Sequence, residues 1–211
     1  MENKRLRFTP TGLHVREARE EGQQSRTIEG CAIVFNQETV LYESAGYREI
    51  EVIDASCVTA EFLKTQDIKM NLLHDRKSSM ARSVNGEGSL NLELREDGLY
   101  FSFEAPECDL GDQALALVKN GTYSGCSFEF YPKDYDVMER TRGEYVIVHK
   151  EFERLTALTI AMDPAYEQTS VNLREEYEAQ HPEAREEIAR QELEAREKKI
   201  REQKARYYAT L

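Results

Sequence analysis

The chain has 211 residues, of which 40% are hydrophobic and 32% charged, and its formal net charge is -12. This length suits one domain of ordinary size with an appendage. The negative charge disfavours binding to the phosphate backbone of nucleic acids. No apolar run is long enough to predict a membrane span or a signal peptide. We therefore expect a cytosolic protein with neither nucleic acid nor membrane as a partner.

The first half of the chain predicts strands, one short helix and a loop. Apolar or alternating segments predict strands at Ile28–Phe35, Tyr47–Ile53 and Ile68–His74. A short helix is predicted over Val58–Leu63, with Thr59 as its N-terminal cap. The polar segment Arg76–Ser83 predicts a loop.

The second half continues the same pattern. Further strands are predicted at Gly88–Arg95, Leu99–Ala105, Ser127–Tyr131 and Phe152–Met162. The turn Glu96-Asp97-Gly98 predicts a hairpin, because Asp-Gly readily supplies positive φ angles. Asp109–Asn120 predicts a helix that is capped by Gly121. Tyr135–Val148 predicts a hairpin that turns at Arg142-Gly143.

About eight short strands with few helices predict an α+β, mainly β fold. We expect an antiparallel β-barrel of seven or eight strands with peripheral helices, formed by residues 1–172. Residues 173–211 are rich in Glu, Arg, Lys, Ala and Gln and predict a charged helical tail. That tail is either a solvated segment or a helix that docks onto a partner or onto itself.

The four cysteines show no spacing typical of metal ligands; they are Cys31, Cys57, Cys108 and Cys126. In a reducing cytosol such residues stay free thiols. We expect neither a metal nor an organic cofactor.

One histidine and one serine-rich segment are the candidate catalytic groups. His74 ends an apolar run, and Ser124-Gly125-Cys126-Ser127 joins a predicted helix to a predicted strand. An imidazole that titrates near neutrality can take the proton of a hydroxyl and activate it for acyl transfer. Taken alone, His74 also fits a structural histidine at the rim of the barrel. The spacing chooses no third group to orient the imidazole, and Asp75 would point to the opposite face of a strand.

Five segments, taken in order, resemble the caudovirus prohead serine protease family. These are the maturation proteases of tailed phages, and they are distantly similar to herpesvirus assemblins. The similar segments are Ile28–Asn36, Tyr47–Ile50, Asn71–Asp75, Leu115–Phe130 and Leu155–Val171. The third carries the family's His-Asp motif, the fourth its Gly-x-Ser-Phe motif, and the last its closing Pro-Ala-Tyr strand.

The resemblance implies roles for particular residues. It makes His74 the general base and Ser127 the nucleophile, with Ser124 as the alternative nucleophile. Ala157 stands where the family often has an acidic residue, so the third catalytic group is open. Glu153, on the same face of the predicted strand, is our candidate for it.

A second departure is Ala81, which stands before Arg82 where the family usually has a glycine.

The implied function is a serine endopeptidase of phage capsid maturation. It would cleave scaffold segments, the major capsid protein and itself inside the prohead, in the host cytoplasm. A homo-oligomer, such as a dimer, is expected. The alternative is a non-catalytic assembly or scaffolding component that acts through its helical tail. A small-molecule esterase is disfavoured, because the chain lacks a Gly-x-Ser-x-Gly nucleophile elbow.

Overall fold

A computed structural model of the protein describes residues 5–9, 12–17, 25–44 and 46–162. The strands within these ranges are β1 (Arg5–Thr9), β2 (His14–Val15), β3 (Thr27–Val34), β4 (Thr39–Ser44), β5 (Tyr47–Ile53), β6 (Asp67–Leu72), β7 (Asp75–Val84), β8 (Glu87–Gly88), β9 (Leu90–Arg95), β10 (Gly98–Glu104), β11 (Gly125–Thr141) and β12 (Glu144–Ala161). The helices are a 3-10 helix (Ala55–Cys57), α1 (Ala60–Leu63) and α2 (Asp109–Lys119). The expected mainly β composition is confirmed.

The described strands form two sheets. The larger has eight strands: β1-β11-β12-β6-β7-β8 in order, with β5 pairing with β12 and β4 with β5. The smaller has the order β2-β3-β10-β9. The predicted closed antiparallel barrel is not found in the described ranges. The larger sheet is also not purely antiparallel, because β6 pairs in parallel with β12, a contact between distant segments that strand patterns do not show.

The described residues fall into two compact units. One comprises those within Met1–Gln37, Val52–Asp136 and Val148–Ala165, and the other those within Glu38–Glu51 and Val137–Ile147. The second unit holds β4 and the hairpin tip between β11 and β12, where Gly143 adopts a φ of 80° as the predicted turn requires. The predicted domain boundary after residue 172 and the tail 173–211 lie outside the described residues.

The first unit holds the main hydrophobic core. Its largest fully buried side chains include Phe103, Phe130, Phe152, Ile28, Ile33, Ile68, Met70, Leu90, Leu99, Leu155 and Leu158. The helix α2 buries Ala114, Leu115 and Val118, and it ends before Gly121, whose φ is 75°. Thr59 caps α1 by accepting a hydrogen bond from the Phe62 amide at 3.1 Å. Both predicted helices are confirmed, since their signals are local.

Two local predictions fail for physical reasons. The predicted loop 76–83 lies in β7, which pairs with β6 and has several exposed side chains, so its polarity reflects an outer surface. The hairpin between β9 and β10 exists, but neither Asp97 nor Gly98 has a positive φ. Gly98 is needed for space instead: a Cβ there would lie 2.3 Å from the carbonyl oxygen of Ile33.

Candidate active site

Three adjacent strands carry polar side chains on the face that turns away from the core. In β6 and β12 the core residues alternate with buried polar ones, and Asn71 lies in register with Thr159. The core residues in question are Ile68, Met70, Leu72, Leu158 and Ile160. In β11 the core residues are Cys126, Phe128 and Phe130. Because side chains alternate along a strand, Ser127 and Glu129 face away from the core with Asn71 and Thr159.

Two contacts align β11 with β12. The Ser124 hydroxyl donates to the carbonyl oxygen of Met162 at 3.4 Å, and the Thr156 hydroxyl donates to the carbonyl oxygen of Glu129 at 3.4 Å. Ser127 lies between these contacts, opposite the Leu158-Thr159 segment. We call Ser127, Thr159 and Asn71, which cross three adjacent strands, the polar row.

The polar row is buried but incompletely hydrogen-bonded. Ser127 and Thr159 are 0% exposed and Asn71 is 1% exposed. The Asn71 Oδ1 accepts a hydrogen bond from the Ser79 hydroxyl at 2.6 Å, which fixes the orientation of the amide. Within the described ranges, Ser127 Oγ, Thr159 Oγ1 and Asn71 Nδ2 have no hydrogen-bond partner. Each such buried group costs about 1–3 kcal/mol, so three in one row indicate a functional site.

His74 lies in the tight turn that leads from β6 into β7, not on the strand itself as predicted. Leu73 and His74 have φ angles of 50° and 61°, as in the two-residue turns of type I′ hairpins. Glycine or asparagine normally occupies such positions, because most other residues lose about 1–2 kcal/mol in this left-handed conformation. The Leu73 amide donates to the carbonyl oxygen of Ile160 at 3.1 Å, which holds the turn beside β12. Both ring nitrogens of His74 are buried.

The structure thus brings both predicted residues to the same stretch of β12. Ser127 lies opposite residues 158–159, and the turn of His74 is held by Ile160. A strained turn that carries an imidazole and a strand that carries a buried hydroxyl, both tied to one stretch of β12, have the composition of a base and nucleophile pair.

The other acidic candidates are placed elsewhere. Glu153 is exposed and lies seven residues before Ile160, a distance of roughly 20 Å along an extended strand. The structure therefore does not bring Glu153 to the turn of His74. The Asp75 carboxylate accepts hydrogen bonds from the Lys77 amide at 2.9 Å and the Ser78 hydroxyl at 2.8 Å, and these bonds lower its pKa.

The sequence motifs do not predict two charged residues of this face, Glu129 and Arg76. Glu129, two positions after Ser127, is 5% exposed. Its Oε2 lies 3.7 Å from a guanidinium nitrogen of Arg76 and 3.4 Å from the Thr156 hydroxyl. The alternation of polar and aromatic residues from Ser127 to Phe130 was the signal that could have found Glu129. No sequence signal marks Arg76, because the polarity of its segment predicts a loop.

Cys126 is not a rival nucleophile. Its side chain belongs to the core, and burial raises its pKa to about 12. A thiol with that pKa stays protonated at neutral pH and is a poor nucleophile. The four cysteines are free, as predicted.

The other described histidines, His149 and His14, make contacts that indicate structural roles. His149 is fully buried against Phe130, with its Nε2 3.3 Å from a guanidinium nitrogen of Arg5. His14 contacts the Glu29 carboxylate at 3.0 Å, and the neighbouring Arg16 lowers the pKa of that carboxyl group. Glu29 and His14 line a cavity of about 390 Å³ on the smaller sheet, and neither His74 nor Ser127 lines it.

In the described part of the chain, no group of three His, Cys, Asp or Glu side chains is arranged to hold a metal ion. No helix in that part is long and apolar enough to cross a membrane.

Comparisons with known proteins connect this site to a family. A search of curated proteins finds no match. Among solved structures, the chain is similar to the bacteriophage T4 capsid assembly protease gp21, with 12% sequence identity and a TM-score of 0.44; the match covers 75% of this chain and 98% of that chain. The family profile described as caudovirus prohead serine protease matches residues 13–183, which include His74, Ser127 and the whole polar row. The chain therefore belongs to the caudovirus prohead serine protease family.

Proposed function

We propose that the chain is a serine endopeptidase of phage capsid maturation, with Ser127 as nucleophile and His74 as general base. Family membership supports a prohead protease. The observation that carries the assignment of residues is that Ser127 Oγ is buried and has no hydrogen-bond partner among the described residues. Its strand lies beside β12, to which the turn of His74 is also bound.

The reaction follows from these two groups. The His74 imidazole takes the proton of Ser127 Oγ, and the oxygen attacks the scissile carbonyl carbon. The tetrahedral intermediate collapses as the C–N bond breaks, and the imidazolium gives its proton to the departing amine. Water, deprotonated by the same imidazole, then hydrolyses the ester on Ser127 and restores the free serine.

The substrates would be segments of the capsid protein, scaffold segments and the protease chain itself. These are the proteins enclosed with a prohead protease. The burial of Ser127 requires the face of the polar row to open before a peptide can enter. The tail 173–211 remains, as predicted from its sequence, the candidate element for recruitment into the shell, and a dimer remains a prediction.

The decisive test is co-expression with the phage capsid and scaffolding proteins, followed by mass spectrometry of the assembled particles. Ser127→Ala and His74→Ala should each abolish cleavage of the capsid protein and of the chain itself. Ser124→Ala should leave cleavage intact, because its exposed hydroxyl lies at the end of the strand. Normal processing by Ser127→Ala would refute the proposal and would favour a scaffolding role.

A further inference from the structure

We propose that Glu129 and Arg76 form a positioning pair that holds the turn of His74 against the strand of Ser127. This inference rests on the proposed function and names residues that support the reacting pair. Neither residue is itself offered as a catalytic group.

The contact between the two residues crosses two strands. Arg76 is in β7 and Glu129 in β11, and the sheet order places β6 and β12 between these strands. A guanidinium nitrogen of Arg76 nevertheless lies 3.7 Å from the Glu129 carboxylate. The two side chains must therefore meet over the face of β6 and β12 that carries Asn71 and Thr159.

An irregularity in β7 makes this reach possible. Asp75 pairs with Leu72, but the next partner, Asn71, pairs with Ser79. The segment 76–78 therefore bulges out of the ladder directly after the turn of His74. The Asp75 carboxylate caps this bulge through the Lys77 amide and the Ser78 hydroxyl. Arg76 is the first residue of the bulge, so anchoring its side chain also anchors the turn.

The burial of Glu129 indicates that its ion pair with Arg76 has a role other than stabilising the fold. A carboxylate with 5% exposure is costly to desolvate, and an apolar residue in its place would be more favourable for stability. The Arg76 side chain is 70% exposed, so the pair adds little to the hydrophobic core. What the pair does provide is a link between the segment that follows the turn of His74 and the strand that carries Ser127. The turn it holds contains two L-residues with positive φ, a conformation that persists only where its surroundings enforce it.

The test is phosphonylation of Ser127 by a fluorophosphonate in the full-length protein, in which the serine oxygen displaces fluoride from phosphorus, with the maximal rate and the half-saturating concentration measured separately. Arg76→Gln and Glu129→Gln should each lower the maximal rate by up to about 100-fold, because small misplacement of a catalytic base is that costly. The half-saturating concentration should change less than the rate. Arg76→Lys should restore part of the rate. The double variant should be no slower than the slower single variant, because the pair acts as one unit.

Matched controls remove the same charges elsewhere. Arg95→Gln breaks an exposed pair with Glu93 at 2.7 Å, and Glu151→Gln breaks an exposed pair with Lys133 at 2.5 Å. Ser127 should be phosphonylated at the wild-type rate in both variants. If Glu129→Gln fails to fold, Arg76→Gln alone still tests the positioning pair. The Arg76 side chain is exposed, so this variant should fold.

The outcomes separate the inference from the proposed function. Wild-type protein that is not labelled at Ser127, even in assembled particles, would contradict the proposed function. Wild-type labelling with an unchanged rate for Arg76→Gln would overturn the positioning pair alone. An effect confined to the half-saturating concentration, or independent losses that multiply in the double variant, would also overturn it.

Discussion

At the scale of single residues, the polar row lowers the stability of the folded chain. Thr159 keeps a hydroxyl in a fully buried position with no hydrogen-bond partner among the described residues, and its neighbours in the row do the same with Ser127 Oγ and Asn71 Nδ2. Unpartnered polar atoms are what a site needs if it is to bind a substrate's own polar atoms. They are also what makes a folded chain less stable than it could be.

Thr159→Val should therefore raise the free energy of unfolding, by about 1 kcal/mol, because valine fills the same space without a polar atom to desolvate. Urea denaturation measures the change. The matched control is Thr156→Val, which removes a hydroxyl that has Glu129 as its partner, and it should not stabilise the protein. A destabilised Thr159→Val variant would mean that the hydroxyl has a partner after all.

The cysteines allow a second prediction at this scale. Burial raises the pKa of Cys126 to about 12, whereas Cys108 is exposed. Since a thiol reacts as its thiolate, iodoacetamide at pH 8 should modify Cys108 in the native protein and leave Cys126 untouched. Peptide mass spectrometry gives the order of modification, and denatured protein is the control in which both should react. The folded-state pKa lies above the unfolded one, so stability should decrease from about pH 9 upward.

At the scale of elements, the sequence correctly predicts the features that depend on contacts between residues close together in the chain. The cap at Thr59, the end of α2 before Gly121 and the turn at Gly143 all depend on contacts within a few positions, and each is confirmed. The strand β7 was missed because its polar side chains reflect exposure, which resembles the signal of a loop. The parallel pairing of β6 with β12 is a tertiary fact, and no periodicity encodes it.

The candidate site follows the same division. His74 and Ser127 were chosen from motifs, and the structure places both beside β12. The choice of Glu153 rests on strand position alone, and Glu153 lies in the middle of β12, seven residues before Ile160. Glu129 could have been found from its alternation with Phe128 and Phe130, whereas its link to Arg76 depends on the fold.

The strand β1 gives the prediction that belongs to this scale. It pairs antiparallel with β11, with Phe8 in register with Ser127, and it lies outside the segment that matches the family. The Arg5 side chain is buried beside His149, and Arg7 lies over the ring of Phe130 at 5.7 Å. Deleting residues 1–9 should lower the unfolding midpoint and promote aggregation, because it exposes the edge of β11.

Thermal denaturation and light scattering check this deletion. Arg7→Ala is the milder companion, since it removes the contact with Phe130 and keeps the backbone pairing. It should lower the midpoint without promoting aggregation. A deletion variant as stable and soluble as the full chain would show that β1 contributes little to this sheet.

At the scale of the whole molecule, the sequence divides into an apolar part that folds and a charged segment, residues 173–211. The predicted site lies entirely in the first part, since His74 and Ser127 both precede residue 162. The charged segment contains few large aliphatic residues, so it can bury little surface alone. Its expected role is therefore recruitment of the enzyme, and chemistry should not depend on it.

Deletion of residues 173–211 should separate recruitment from catalysis. We expect the shortened chain to react with a fluorophosphonate at Ser127 at the rate of the full chain, because the reacting groups are unchanged. Its copy number in assembled procapsids should decrease strongly, and capsid-protein cleavage should decrease with it. Quantitative mass spectrometry of purified particles measures both, and Ser127→Ala in the full chain is the control that is packaged but cannot cleave. If the shortened chain is packaged normally, recruitment belongs to the folded part. If it is packaged but Ser127 is not labelled by the fluorophosphonate, the tail is part of the enzyme.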